Sequence, residues 1–334
     1  MDIDKIRISS GSAIALELLT NRKIDTFPTT CYLMTYYSGK CTSNCSFCPQ
    51  ARTTQGSLDK LSRVNWPIFQ FNEFLIKLKY MRPSRKFKRI CIQTLNYPNN
   101  FKDIIEIITE IKKETSIPIS TAIPPMNKNQ LKELKIIGVE RVGIALDAAT
   151  EEIFEKIKGK GVKNQYSWKE QYQNLIEATK IFSNSSVSTH IIYGLGDTQE
   201  QILNLMYELK KYEILTALFA FMPIKDTKLE TLKQPNIHNF RKLQLARDLI
   251  ANKDRSLEDI TFNSKGEIIS FNINKQELMN IIDENIAFRT SGCFNCNRPY
   301  YTSTPSGPFY NYPRLLDDQE KKEIFNQLKN LVKF

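Results

Sequence analysis

Apolar residues along this chain follow two alternating patterns. Short, nearly continuous apolar runs occur at 32–36, 89–93, 117–122, 141–146, 187–193, 215–222, 259–262 and 286–289, as expected of strands buried on both faces of a parallel sheet. Between them, stretches such as 104–112, 128–137, 169–182, 199–211 and 241–251 repeat apolar residues at helical spacing. Thr198 followed by Gln201 makes a capping box at the start of one such helix. This alternation predicts a parallel α/β fold, and eight repeats predict closure into a (β/α)8 TIM-type barrel. The seventh and eighth strands have the least regular patterns.

Outside the barrel, the pattern predicts an N-terminal helical extension over about residues 4–20 and a C-terminal helix over about 316–332. No linker-like composition divides the 334 residues. A single domain is therefore expected, with the extension reaching about residue 28, the barrel about 29–290 and a C-terminal segment about 291–334.

Composition changes this picture only in part. No run approaches the roughly 18 apolar residues needed to span a bilayer, and the first residues lack a basic-then-apolar leader, so a cytoplasmic location is expected. The seven cysteines are clustered, which fits a reducing compartment where thiols serve metals. The net charge of +11 includes basic runs at Arg82, Arg85, Lys86, Lys88 and Arg89 and at Lys156, Lys158, Lys160 and Lys163. Neither run has interleaved aromatics and no nucleic-acid fold signature is present, so each reads as solvated surface and nucleic acid is not the expected partner. Their field would steer an acidic protein instead.

The chemistry begins at Cys41, Cys45 and Cys48, a Cys-x3-Cys-x2-Cys run with Phe47 directly before the third thiol. A [4Fe–4S] cube is ordinarily held by four thiolates, so a tight loop offering three leaves one iron open to an exchangeable ligand. The alternative is a structural zinc loop with its fourth ligand elsewhere. On the predicted topology the loop follows the first strand, at the barrel mouth where such folds carry their active sites.

The segment GKCTSNCSFCPQAR resembles the cluster loop of radical S-adenosylmethionine (SAM) enzymes of the biotin-synthase-like branch. Three later segments extend the resemblance in the same order: GIALDAAT (143–150), IIYGLGDTQEQ (191–201) and FMPIKDTKLE (221–230). The resemblance implies a radical SAM barrel in which Asp147 holds the ribose of SAM and Phe47, Thr121, Ile192, Tyr193 and Gly194 line the cofactor. There are departures: Ala145 stands where biotin synthases commonly have Asn, and Ser188 and Ser120 or Thr121 stand where they place cluster cysteines. The biotin synthase [2Fe–2S] cluster cannot be assembled with its own ligands here.

Three other cysteines gain interest. Cys293 and Cys296 form a Cys-x2-Cys pair after the eighth candidate strand, and Cys91 lies in the second. The topology lets them converge on the mouth as a second centre with one ligand position undetermined; the alternatives are a zinc knuckle and an inert strand cysteine. Cys31, at the start of the first strand, reads as packing.

The run GCFNCNRPYYTSTPSGPFYNYPR (292–314), with LSRVNWP (61–67) and CIQTLNYP (91–98), resembles the archaeal-type two-protein lipoyl synthases. That resemblance implies sulfur insertion at C6 and/or C8 of a protein-bound octanoyl-lysine, where unactivated C–H bonds leave only a radical route. It implies a second [4Fe–4S] cluster, on Cys91, Cys293 and Cys296, as sulfur donor. Ser303 and Ser306 are candidates to complete it. The aromatic tail of Tyr300, Tyr301, Phe309, Tyr310 and Tyr312 either closes the mouth or packs the last helix. The implied partners are an octanoylated lipoyl carrier domain or glycine cleavage H-like protein, a homologous second synthase subunit and an electron donor such as ferredoxin, with no membrane. Two other function classes stay open: a one-cluster mutase, lyase or methyl-transfer relative, and a non-enzymatic zinc or nucleic-acid-binding protein.

Overall fold

The computed structural model describes residues 3–20, 24–183 and 185–333. Its first strands are β1 (Lys5–Ile8), β2 (Thr30–Thr35), a hairpin of β3 (Lys60–Leu61) and β4 (Val64–Asn65), and β5 (Ile68–Gln70). They are followed by β6 (Arg89–Gln93), β7 (Ile119–Ala122), β8 (Val139–Gly143), β9 (Val187–Tyr193) and β10 (Leu215–Ala220). The last are β11 (Ile260–Phe262), β12 (Ile268–Asn274) and β13 (Val332–Lys333). The helices are α1 (Ser10–Ala15), α2 (Phe71–Lys79), α3 (Asn100–Glu114), α4 (Lys128–Ile136) and α5 (Glu151–Ile157), then α6 (Trp168–Thr179), α7 (Gln199–Lys210), α8 (Ile237–Asn252), α9 (Lys275–Asp283) and α10 (Asp318–Leu328). None of the described helices is long and apolar enough to cross a membrane.

Among the described residues, β2, β6, β7, β8, β9 and β10 form a parallel sheet in that order, with β1 and then β5 added antiparallel outside β2. The α/β barrel expectation holds, but its parallel strands number six rather than eight. Residues 259–262 do form a strand, β11, which pairs with β12 in a separate small sheet. Residues 286–289 form a turn with one bridge, Arg289 to Tyr312; Ala287 and Phe288 are buried, but Ile286 is 52% exposed and no ladder forms, so the run is not a barrel strand. The N-terminal extension also differs, since β1 pairs with β2 and β5 before a single short helix. The C-terminal helix is present as α10.

Alternation along the strands divides two environments. Cys31, Leu33, Ile90, Ile92, Val142, Ile191 and Leu218 face the main apolar core under the helices, which confirms Cys31 as packing. Tyr32, Met34 and Cys91 face a second cluster inside the barrel, because successive side chains point to opposite faces of a strand. The predicted capping box is present at α7, with Thr198 accepting from Gln201 and Gln201 accepting from Thr198.

No strand pairs with the far edge of β10 among the described residues; residues from the 289–312 segment lie there instead. Ser291 Oγ accepts from the Leu218 N–H at 2.9 Å and Asn311 Nδ2 donates to the Leu218 carbonyl at 3.3 Å. At its other side the segment reaches β2, where Tyr32 Oη accepts from the Arg298 N–H at 2.9 Å. Pro299, Pro305 and Pro308 deny this stretch a strand ladder. Gly292, at φ +114°, takes it past Ala217, where any Cβ would stand 3.0 Å from the Ala217 Cβ. The ring is thus bridged by irregular chain, and that chain carries Cys293 and Cys296.

Candidate active site

The loop bearing Cys41, Cys45 and Cys48 leaves the C-terminal end of β2 and is fixed by its own polar side chains. Asn44 donates to the Val162 carbonyl at 2.6 Å and accepts from Thr53 Oγ1 at 2.7 Å. Gln50, 2% exposed, donates to the Leu58 and Lys60 carbonyls. The Asn96 N–H, after β6, donates to Cys41 Sγ at 3.3 Å. All three thiols line one cavity with Met34, Gln93, Ala145 and Asp147. Burial pushes Cys45 up to about 12 and Cys48 well above the usual thiol range, with mutual repulsion adding to both. Coordination to a cationic group would displace those protons.

Two features test the fit of a four-iron cube. The donors are soft thiols, which suit iron–sulfur centres, and a backbone N–H already serves one sulfur from outside. Among the described residues, no three His, Cys, Asp or Glu side chains are drawn together tightly enough for a single metal ion. A cube takes each thiolate at a separate iron corner, so the open spacing is compatible with it. The residues fit.

Beside the thiols lies a buried charged group that sequence reasoning described only in part. Asp147, 3% exposed and held at φ +68°, receives Lys158 Nζ at 2.7 Å and His190 Nε2 at 2.9 Å. Burial alone would raise its carboxyl, but Lys158 and His190 outweigh it and hold Asp147 below the usual carboxylate range. Lys158 itself is 3% exposed, which corrects its reading as solvated surface. The available signal was position, because Lys158 continues the buried stripe of Phe154 and Ile157 on α5. Arg89, from the other basic run, is also buried and paired, with Glu140. Gln171 lines the same cavity, donates to the Ala145 carbonyl at 2.8 Å and keeps a buried Oε1 without a partner. An orphan acceptor beside a carboxylate suits a hydroxyl-rich ligand such as the ribose of SAM.

Of the other residues expected at the cofactor, Phe47 and Ile192 line the apolar cavity next to the loop. Thr121 borders the cavity of the second set of cysteines, with its side chain on the helix-covered face in register with Ile92 and Val142. Tyr193 packs against the main core, because it is the outward neighbour of Ile192 on β9. Gly194 lines neither cavity at the loop; its role is close packing against Phe221 and Pro235.

Cys91, Cys293 and Cys296 come together inside the barrel. They line one cavity and act electrostatically on one another. Tyr32 Oη lies 3.2 Å from Cys296 Sγ, and Gln93 Nε2 donates to Cys91 Sγ at 3.0 Å. The expected placement at the mouth needs correction: this cavity reaches Thr30 and Arg89, the first residues of β2 and β6, so it occupies the lower half of the lumen. Ser303 and Ser306 do not line it, whereas Ser120, Ser188 and Ser291 do. Arg298, two residues past Cys296, stands between the two halves and borders both cavities. Burial opposes its charge, but the Cys296 and Cys91 thiols outweigh that and raise it. Its guanidinium lies over the rings of Phe219 and Tyr301.

The space between is largely apolar, walled by Phe47, Leu61, Ile192, Phe219, Phe221 and Ile224, with Cys48 at one end and Arg298 at the other. The aromatic tail divides. Tyr301 borders this space, while Tyr310 and Tyr312 pack in the main core around the buried Arg241.

The Radical SAM superfamily pattern matches residues 35–209, more than half of the chain. The chain belongs to the radical SAM superfamily. Among curated relatives it is similar to the biotin synthase of Methanococcus aeolicus, 28% identical over 234 residues and 67% of each chain. It is 25% identical to that of Sulfurihydrogenibium sp. over 60% of this chain and 57% of the relative. It is 26% identical to that of Clostridium tetani over 61% and 60%. The alignments thus span about three fifths to two thirds of the relatives' lengths. Among solved structures, HydG, a maturase of the [FeFe]-hydrogenase, superposes with a TM-score of 0.52 at 15% identity, covering 72% of this chain and 53% of that one. The HydG of Carboxydothermus hydrogenoformans gives 0.50 at 19%, covering 72% and 54%. These structures share the fold. Family membership and the biotin synthase relatives make this radical SAM enzyme biotin-synthase-like and imply a [4Fe–4S] cluster and SAM.

Proposed function

We propose that this radical SAM enzyme is a sulfurtransferase acting at C6 and/or C8 of protein-bound octanoyl-lysine, as one of a pair of lipoyl synthase proteins. The observation that supports this best is the second group of thiols within the same barrel, separated from the first by an apolar cavity. When bound, the cluster at Cys41, Cys45 and Cys48 with SAM supplies the radical chemistry that unactivated C–H bonds require, and a second [4Fe–4S] cluster at Cys91, Cys293 and Cys296 supplies sulfur.

The chain's own groups orient and exclude. Asp147 accepts ribose hydroxyls while Lys158 and His190 keep it ionised. The walls of Leu61, Ile192, Phe221 and Ile224 take up an alkyl chain and keep water away from a reactive carbon. Arg298 holds positive charge beside the lower thiols and balances an anionic centre there. Ser120, in register with Cys91, offers oxygen at the same place. The net charge of +11 favours an acidic carrier domain, with ferredoxin as the class of electron donor.

The test is anaerobic incubation with SAM, reductant and an octanoyl-lysine carrier peptide, followed by mass spectrometry of the peptide. A gain of sulfur is expected, and loss of label from one deuterated methylene assigns the carbon. Formation of 5′-deoxyadenosine with no sulfur gain on any octanoylated carrier would point to the one-cluster classes.

A further inference from the structure

The lower cavity has buried donors that the sulfur-donor reading does not use in full. Its lining includes two guanidinium groups, Arg89 and Arg298, and the carboxylate that meets Arg89, Glu140, lies outside the lining. Arg89 is 6% exposed; its Nη2 meets both oxygens of Glu140 at 3.0 Å, but its Nε and Nη1 have no partner. Thr30, 1% exposed and in register with Arg89 on the lumen side of β2, carries a hydroxyl that is also without a partner. Buried donors left unpaired carry a desolvation cost that a bound acceptor removes. The cavity is small, about 40 Å³, room for a very few waters and little more, and Ala217 and Phe219 close its side next to Arg298. A compact, weakly hydrated anion fits better than a tetrahedral oxyanion.

We propose that this cavity binds a small inorganic monoanion of the hydrosulfide class, held by Arg89, Arg298 and Thr30 beside Cys91, Cys293 and Cys296. Binding is non-covalent, through charge-assisted hydrogen bonds. Anion binding stands on the cavity alone. Its use, to hold sulfide where the lower centre is assembled and refilled, rests on the function proposed above.

Bromide serves as the probe. Crystals of the full chain soaked in sodium bromide should show an anomalous peak within hydrogen-bonding reach of Arg89 and Thr30, absent in Arg89→Met and retained in Arg89→Lys. Thr30→Val, which leaves the Arg89–Glu140 pair intact, should weaken the peak and stands in if Arg89→Met does not fold. In a chain carrying Cys41→Ala, Cys45→Ala and Cys48→Ala, the sulfide concentration for half-maximal assembly of the lower centre should rise about tenfold on adding Arg89→Met, the loss expected for one charge-assisted contact. A cavity holding only water in bromide-soaked crystals overturns the proposal, and an unchanged sulfide requirement overturns its role in assembly. A bromide peak that persists in Cys293→Ser/Cys296→Ser, combined with no iron at the lower thiols in any background, supports the anion site and removes the second centre instead.

Discussion

The two groups of thiols are built in opposite ways. The upper group comes from one loop, with all three thiols within eight residues of sequence, and that loop is then tied to neighbouring elements by Asn44 to the Val162 carbonyl and by the Asn96 N–H to Cys41. The lower group joins Cys91 of β6 to Cys293 and Cys296 from the irregular segment between β10 and β2. The first has its thiol spacing set by a single loop. The second exists only once the barrel has been bridged, so it is the more exposed to changes in packing far from any sulfur. Between the two lies an apolar cavity, and the pair of sites gives that cavity two chemically distinct ends.

The sharpest way to break this comparison is to remove one site at a time. Cys45→Ala should abolish 5′-deoxyadenosine formation, whereas Cys293→Ala with Cys296→Ala should leave it in place and remove about half the iron, counting four irons per cube. Iron analysis and product quantification after anaerobic reconstitution check both. Unchanged iron in the double variant would leave the lower thiols with a structural role.

Next in size is the charged group at the upper site. Lys158→Met leaves Asp147 buried without its closest cation and should cost about 3–5 kcal/mol in urea unfolding. The pH dependence sharpens the same point. Asp147 ionises at lower pH folded than unfolded, so its contribution is complete above the ordinary carboxylate range and is lost as pH falls through and below it. The stability gap between the unaltered chain and Asp147→Asn should stay level from neutral pH down to that range and close beneath it. A gap that persists at the most acid pH would show that the ion pairs do not set it.

A smaller effect tests the dependence of the lower site on its bridge. Gly292→Ala places a side chain at φ +114° and against Ala217, which should cost about 1–3 kcal/mol. Lower-site iron should fall more than upper-site iron, as read by Mössbauer spectroscopy. Smallest is Tyr301→Phe, which deletes a buried hydroxyl that has no partner in the protein; stability should change by no more than about 1 kcal/mol. A large loss of substrate binding with that small change would show that the hydroxyl serves the ligand.

Much of this architecture was legible in the sequence because its signals are local. Continuous apolar runs marked all six parallel strands, and the capping box at Thr198 is made by neighbours in sequence. The Cys41 loop was legible for the same reason. The missed features share a non-local cause. Nothing near Ile286 announces that the strand pattern will be spent on a turn, and nothing near Lys158 announces a carboxylate eleven residues earlier in sequence meeting it across a buried loop. Thr121 was placed at the cofactor, but its pairing with Ile92 and Val142 turns its side chain to the helix-covered face, a register that only the assembled sheet fixes.

The sequence by itself determined the strand–helix alternation, the three-thiol loop and the presence of a second cysteine pair, because each depends on spacing along the chain. Only the tertiary structure decided that six parallel strands and an irregular bridge enclose the lumen, that Lys158 and His190 hold Asp147 ionised, and that Arg298 separates the two sites. Those outcomes depend on which distant groups share a desolvated space, where a charge must find its partner or not be buried at all.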